Sequence, residues 1–167
     1  MSRLHVQIPL RWSDFDAYAH VNNAEMLRLL EEARIQAFWS NDELDGIDGA
    51  APGAHPAAAS TAVLDGRPGA ATLTLIARLE IEYLAPIPYL RQPIDIQLWI
   101  GKLGGASLDV CYEVCSPAGQ EPAQVFARAS TTIVLVDAAT ERPRKINDVE
   151  RAAWTPYLES PLAFARK

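Results

Sequence analysis

Four alternating runs dominate the second half of the chain, at about Ala71–Tyr83, Pro93–Leu103, Ser107–Ser116 and Ala123–Asp137. In the first, Leu73, Leu75, Ala77, Leu79, Ile81 and Tyr83 alternate with Thr72, Thr74, Ile76, Arg78, Glu80 and Glu82. That period of two sends successive side chains to opposite faces of a sheet. Gly104-Gly105 and Pro117-Ala118-Gly119 are turn signals between runs, and Pro86-Ile87-Pro88-Tyr89 breaks the first run from the second. A fifth run opens the chain, with Leu4, Val6, Ile8 and Leu10 against His5, Gln7, Pro9 and Arg11. Pro9 cannot donate to a ladder, which predicts an edge strand or a bulge there. Such a sheet needs a cover, and one segment can supply it. From Asn22 or Asn23 to Trp39, Met26, Leu27, Leu30, Ala33, Ile35 and Ala37 recur at helical spacing, and Leu29, Phe38 and Trp39 widen the face. The expectation is one α+β domain over residues 1–167, a five-stranded antiparallel sheet wrapped around one long central helix. A single layer of strands leaves its other face and two edges open, which predicts a homo-oligomer, dimer or tetramer.

The remaining segments are less patterned. Residues 41–69 are rich in Gly, Pro, Ala and Asp and long for a connection inside a compact domain. They read as a lid or as a loop with a short helix around Pro56–Ala62, with His55 exposed. A short C-terminal helix is expected over 147–158, capped by Asn147 or Asp148. At 49% hydrophobic and 22% charged the composition is that of an ordinary globular protein, and the net charge of -6 comes without any basic run. Nucleic acid and anionic membrane surfaces are therefore poor partners. Cys111 and Cys115 lie four apart on one predicted strand, roughly 13 Å, too far for a disulfide. They read as reduced core thiols without companions for a metal. MSRLHVQIPL has no apolar core of a signal peptide, and no apolar run reaches the length of a membrane span. A cytoplasmic protein is expected.

The chemically capable residues gather in Arg11–Arg34, RWSDFDAYAHVNNAEMLRLLEEAR. Asp14 and Asp16 are two apart and in extended backbone would face the same way. Repulsion between them would then raise one pKa toward that of a general base. Turn capping is the competing reading for both. His20 suits a hydrogen bond to Asp16 or to a carbonyl, or else a structural bond at the helix entrance. Asn22 and Asn23 suit helix capping, and the N–H groups of that helix start suit a developing oxyanion. Arg28 is placed to pair with Glu31 or Glu32. No G-x-S-x-G elbow, H-E-x-x-H or P-loop pattern occurs.

The run Asp14–Arg34 resembles the acyl-CoA thioesterases of the 4-hydroxybenzoyl-CoA thioesterase type, which have the hotdog fold. Their pattern is D-x-D-x-x-G-H-V-N-N, a tyrosine a few residues on, then E-x-A-R. Asp14, Asp16, His20, Val21, Asn22, Asn23, Glu31, Ala33 and Arg34 match it. LEIEYLAPIPYLRQPIDIQLWIGKLGGASLDVCYEV and PRKINDVERAAWTPYL extend the likeness over nearly the whole chain. Ala19 stands where glycine is usual, so the turn before His20 must avoid positive φ or tolerate strain. Met26 replaces the tyrosine and makes the pocket more apolar. Tyr18 stands where the related acyl-carrier-protein thioesterases place an asparagine, which counts against that mechanism.

The resemblance implies hydrolysis of an acyl-CoA, fatty acyl favoured, to acid and CoA. It implies Asp16 as base or nucleophile, His20 and the helix start at the carbonyl, and no metal or cofactor beyond the CoA of the substrate. Asn22, Asn23, Met26 and Ser107 become candidate substrate contacts, and Asp14, Tyr18 and Glu31 supporting residues. Arg91 and Lys102 are candidates for the CoA phosphates, with plain surface cations as the alternative. The rival readings are a non-catalytic acyl-CoA sensor and an acyl-carrier-protein thioesterase.

Overall fold

A computed structural model describes residues 2–40 and 60–165. In chain order the elements are β1 (Leu4–Ile8), a 3-10 turn (Trp12–Asp14), α1 (Asn23–Phe38), β2 (Trp39–Ser40), β3 (Leu64–Asp65), β4 (Thr72–Tyr83), β5 (Ile94–Leu103), β6 (Ser107–Cys115), β7 (Val125–Asp137), β8 (Arg142–Pro143), α2 (Asp148–Trp154) and a second 3-10 turn (Thr155–Tyr157). The four long runs and the opening strand all form, within a residue or two of their expected bounds. They make one antiparallel sheet in the order β1-β5-β6-β7-β4, with β8 beside β7. β1 is an edge strand and stops just before Pro9, as the missing N–H requires.

α1 has 16 residues. It buries Met26, Leu29, Leu30, Ala33, Ala37 and Phe38 in one core with Ile94, Ile96, Leu98 and Ile100 of β5, Val110, Tyr112 and Val114 of β6, and Ala127, Ala129, Ile133 and Leu135 of β7. Asn147 and Glu150 form a reciprocal capping box at the start of α2, and the buried Trp154 at its end meets Phe38 edge to face. No helix among the described residues is long and apolar enough to cross a membrane.

One expectation lies mostly outside the described residues, and another changes. The predicted lid at 41–69 and its short helix fall mostly outside the described residues. What is described of it is structured: Leu64–Asp65 pairs in parallel with Trp39–Ser40, and Thr61, fully buried, bonds the Ala37 carbonyl. The expectation that changes concerns the face of the sheet away from α1, which the chain covers in part itself. Residues 158–165 cross it as a strap. Leu158 bridges Ile100, the Glu159 N–H donates to the Ile100 carbonyl at 3.0 Å, and the Trp99 indole donates to the Ser160 carbonyl at 3.0 Å. Arg3 binds Glu159, Glu113 and Gln97 and lies 3.9 Å over the Trp99 ring, while His5, Gln7 and Gln97 hold Asp95. Beneath the strap Trp99 and Cys111 are buried. The open apolar surface is at the β4 edge instead, where Leu73, Leu75, Ile76, Leu79 and Tyr83 are all exposed.

Candidate active site

Between β1 and α1 the backbone folds into a short 3-10 turn and then a tight loop. It does not run extended, and this corrects the expected pairing of the aspartates. Asp14 closes the 3-10 turn and is fully buried. Its carboxylate accepts from the Arg11 N–H at 2.7 Å, from Arg28 at 2.7 Å and from the Arg11 guanidinium at 3.2 Å. Burial alone would push its carboxyl up. The Arg11 N–H and the guanidinium groups of Arg28 and Arg11 outweigh that and hold it below the usual carboxylate range. Arg28 is thus committed to Asp14, and to Glu25 at 2.8 Å, rather than to Glu31 or Glu32.

Asp16 occupies the loop itself. Its N–H donates to the His20 carbonyl at 2.9 Å, and the Ala19 N–H donates to the Asp16 carbonyl at 3.1 Å. Its Oδ1 accepts from the N–H groups of Tyr18 at 2.8 Å and His20 at 3.3 Å. Oδ2 has no hydrogen-bond partner among the described residues, and the side chain is half-buried. These bonds hold Ala19 at φ +59°, so the turn tolerates the left-handed conformation and does not avoid it. His20 is half-buried and touches Asp16 through its backbone N–H; its imidazole makes no hydrogen bond among the described residues. Tyr18 is 82% exposed.

Val21 leads into the helix, its N–H on the Ile87 carbonyl at 3.0 Å while His20 bridges Pro88. Asn22 caps α1: its Oδ1 accepts from the Ala24 N–H at 2.8 Å, and its carbonyl accepts from Met26. The N–H groups of Asn23 and Glu25 have no acceptor among the described residues. They leave a positive helix end close to the Asp16 loop.

The other candidates scatter. Met26 is 2% exposed and belongs to the core; the residue that opens outward beside it is Leu27. Glu31 is exposed and 3.7 Å from Arg34. Ala24, Leu27, Arg28, Glu31 and Arg34 line one side of a groove of about 350 Å³ that runs from the first turn of α1, with Ile76 and Leu79 of β4 opposite. Leu27 and the two β4 residues were not among the candidates. Their signal was apolar side chains on elements already assigned to the core, indistinguishable from core until the packing is known. Ser107 opens β6, where its carbonyl accepts from Gly104. The loop lies beyond the Ile94 end of β5 and Ser107 beyond the Leu103 end, about 30 Å apart at the rise of a strand. Lys102 lies at that far end too, whereas Arg91 is on the near side. Among the described residues no group of three His, Cys, Asp or Glu could hold a metal ion.

This is the fold of a thioester hydrolase. The chain belongs to the thioesterase-like superfamily, whose profile matches residues 10–154. A search of curated proteins returned no match. Among solved structures, the candidate thioesterase PA2801 of Pseudomonas aeruginosa is 27% identical, with a TM-score of 0.65 over 91% of this chain and 98% of that one. A Thermus thermophilus thioesterase complexed with coenzyme A and zinc is 24% identical, with a TM-score of 0.63 over 94% and 95%. The DHNA-CoA thioesterase of Staphylococcus aureus is 13% identical, with a TM-score of 0.66 over 93% and 91%. The last two establish likeness of fold.

Proposed function

We propose that this protein hydrolyses acyl-CoA thioesters, fatty acyl favoured, in the cytoplasm, with Asp16 as general base or nucleophile and no group required beyond the CoA of the substrate. The observation that carries the reading is the division of labour within Asp16. Backbone donors fix Oδ1, and Oδ2 is left free on a half-buried carboxylate beside a helix start with two unused N–H groups. As a base, Oδ2 takes a proton from water while the water oxygen attacks the thioester carbon. As a nucleophile, Oδ2 attacks that carbon itself and gives an anhydride that water then opens. In both routes the carbonyl oxygen gains charge facing the N–H groups of Asn23 and Glu25. In the first route the C–S bond breaks as the CoA sulfur takes back the proton held by Oδ2. In the second it breaks as the anhydride forms, the sulfur leaves as thiolate, and the water that opens the anhydride supplies its proton. His20 stands beside the loop to support the carbonyl.

The acyl chain lies along α1, around which the sheet curls in the hotdog manner, in the groove walled by Leu27, Ile76 and Leu79. The similar Thermus protein with coenzyme A bound supports CoA as the carrier. The exposed apolar edge of β4 supports a homodimer formed through that strand.

The test is thiol release from short, medium, long and aromatic acyl-CoAs, wild type beside Asp16→Asn. Turnover in the wild type and at least a thousandfold loss in the variant, with acyl-CoA still bound, is the expected result. Binding without turnover by the wild type would make the protein a sensor.

A further inference from the structure

Next to the Asp16 loop stands an aromatic cluster that the hydrolytic mechanism does not use. Trp12 stacks on Tyr89 with ring centroids 4.5 Å apart and planes 9° apart. Phe15 meets Tyr89 edgewise at 5.5 Å and Trp12 at 6.3 Å. Trp12 is nevertheless 75% exposed and Tyr89 38%. In a parallel stack each ring covers one face of the other, so the indole keeps its second face toward solvent. Large aromatic rings are rarely left in water without a partner. The ring is also held rather than loose, because the segment carrying Tyr89 is pinned to the loop by the His20–Pro88 bridge and the Val21–Ile87 hydrogen bond.

Two residues beyond Tyr89 is Arg91. It is exposed and makes no hydrogen bond or ion pair among the described residues. Arg11, on the other side of Trp12, is tied to Asp14. On a chain of net charge -6, an exposed guanidinium two residues along the chain from a stacked pair of rings is a notable combination. It suits a ligand that presents a flat ring and anionic groups together. An apolar surface would meet the rings and waste the cation, whereas a nucleotide uses both.

We infer that Trp12 and Tyr89 form the platform on which the adenine base of CoA stacks, with Arg91 facing its phosphates. The inference rests on the acyl-CoA reading above and extends it to the nucleotide end of the substrate. The platform and the Asp16 loop then share one support, residues 87–89, so anchoring and hydrolysis are set by the same short segment.

The experiment compares an acyl-CoA with the same acyl group on pantetheine, which lacks the nucleotide. It uses wild type, Trp12→Ala, Trp12→Phe and Arg91→Gln, with Arg91→Gln also tested on the dephospho-CoA thioester. Trp12→Ala is expected to raise KM for the acyl-CoA about tenfold, the scale of one base–aromatic stack, and to leave kcat and the acyl-pantetheine reaction unchanged. Trp12→Phe should recover most of the loss. Arg91→Gln should raise KM for the acyl-CoA and matter less on dephospho-CoA. Equal losses on both thioesters would overturn the inference and move Trp12 to the reacting end. No loss on either would overturn it outright. A changed oligomeric state of Trp12→Ala in light scattering would assign the rings to contact between copies and overturn it too. Binding of free CoA, followed by calorimetry, separates this inference from the hydrolytic reading. A protein that turns over no thioester but loses CoA affinity on Trp12→Ala, with pantetheine binding unmoved, keeps the platform and loses the enzyme.

Discussion

Ala19 is the residue where local cost is most visible. An L-residue in the left-handed region costs roughly 1–2 kcal/mol, and four hydrogen bonds across residues 16–20 hold it there. Ala19→Gly should recover about 1 kcal/mol and raise Tm by about 2–4 °C, measured by thermal unfolding of the two proteins side by side. A lower Tm would show that the turn is not strained. Asp14 gives a prediction with a sign in pH. Its carboxyl is held below its unfolded value, so the ionised pair is fully stabilising above about pH 4 and is lost as pH falls through the lower folded pKa. Urea titrations from pH 6 to about pH 2 should show that acid loss in the wild type. Asp14→Asn should be less stable by about 3 kcal/mol at neutral pH, with a flatter acid limb.

The strap over β5 and β6 belongs to the scale of elements. It passes so close to Gly101 that a Cβ there would lie 3.1 Å from the Pro161 Cα and 2.7 Å from the Cys111 sulfur. Only a residue without a side chain lets the strap lie flat. Beneath and beside it, burial raises the Cys111 thiol and pushes Cys115 up to about 11. Both should therefore be silent toward a thiol reagent at neutral pH in the native protein and react in denaturant. Gly101→Ala should lift the strap and make Cys111 react natively. A native wild-type thiol that reacts at once would contradict the cover. The silence of these thiols also keeps the background low when CoA release is followed with such a reagent.

At the scale of the molecule, β4 is the edge of the sheet that carries exposed apolar side chains. The strap and the ion pairs of Arg3, Glu113 and Arg128 occupy the face away from α1, so the open apolar surface lies at the β4 edge and not on that face. Charges on an exposed apolar edge are a common means of blocking pairing. Ile76→Lys with Leu79→Lys should turn a dimer into a folded monomer in light scattering. An unchanged mass would place the contact elsewhere. Both residues also wall the groove along α1, so the same variant should lose activity on long acyl chains.

The strands and α1 were legible in the sequence because period two and period 3.6 are properties of neighbours along the chain. An asparagine cap at 22 or 23 and the unpaired thiols followed from the same local chemistry, whereas the resemblance flagged Ala19 and left open whether its turn avoids positive φ or tolerates it. The resemblance carried by Asp14–Arg34 identified the superfamily. What the sequence left open depends on residues far apart in the chain. The partnership of Asp14 with Arg28 required a 3-10 turn to swing one carboxylate inward, and two aspartates at spacing two do not announce it. The separation of Ser107 from the loop follows from the direction of β5. The burial of Met26 beside the exposure of Leu27 follows from the rotation of α1 against the sheet. The strap was invisible because eight unpatterned residues become a cover only when a groove over Trp99 and Gly101 receives them. Local periodicity determined which elements form, and long-range packing decided which side chains they leave free to act.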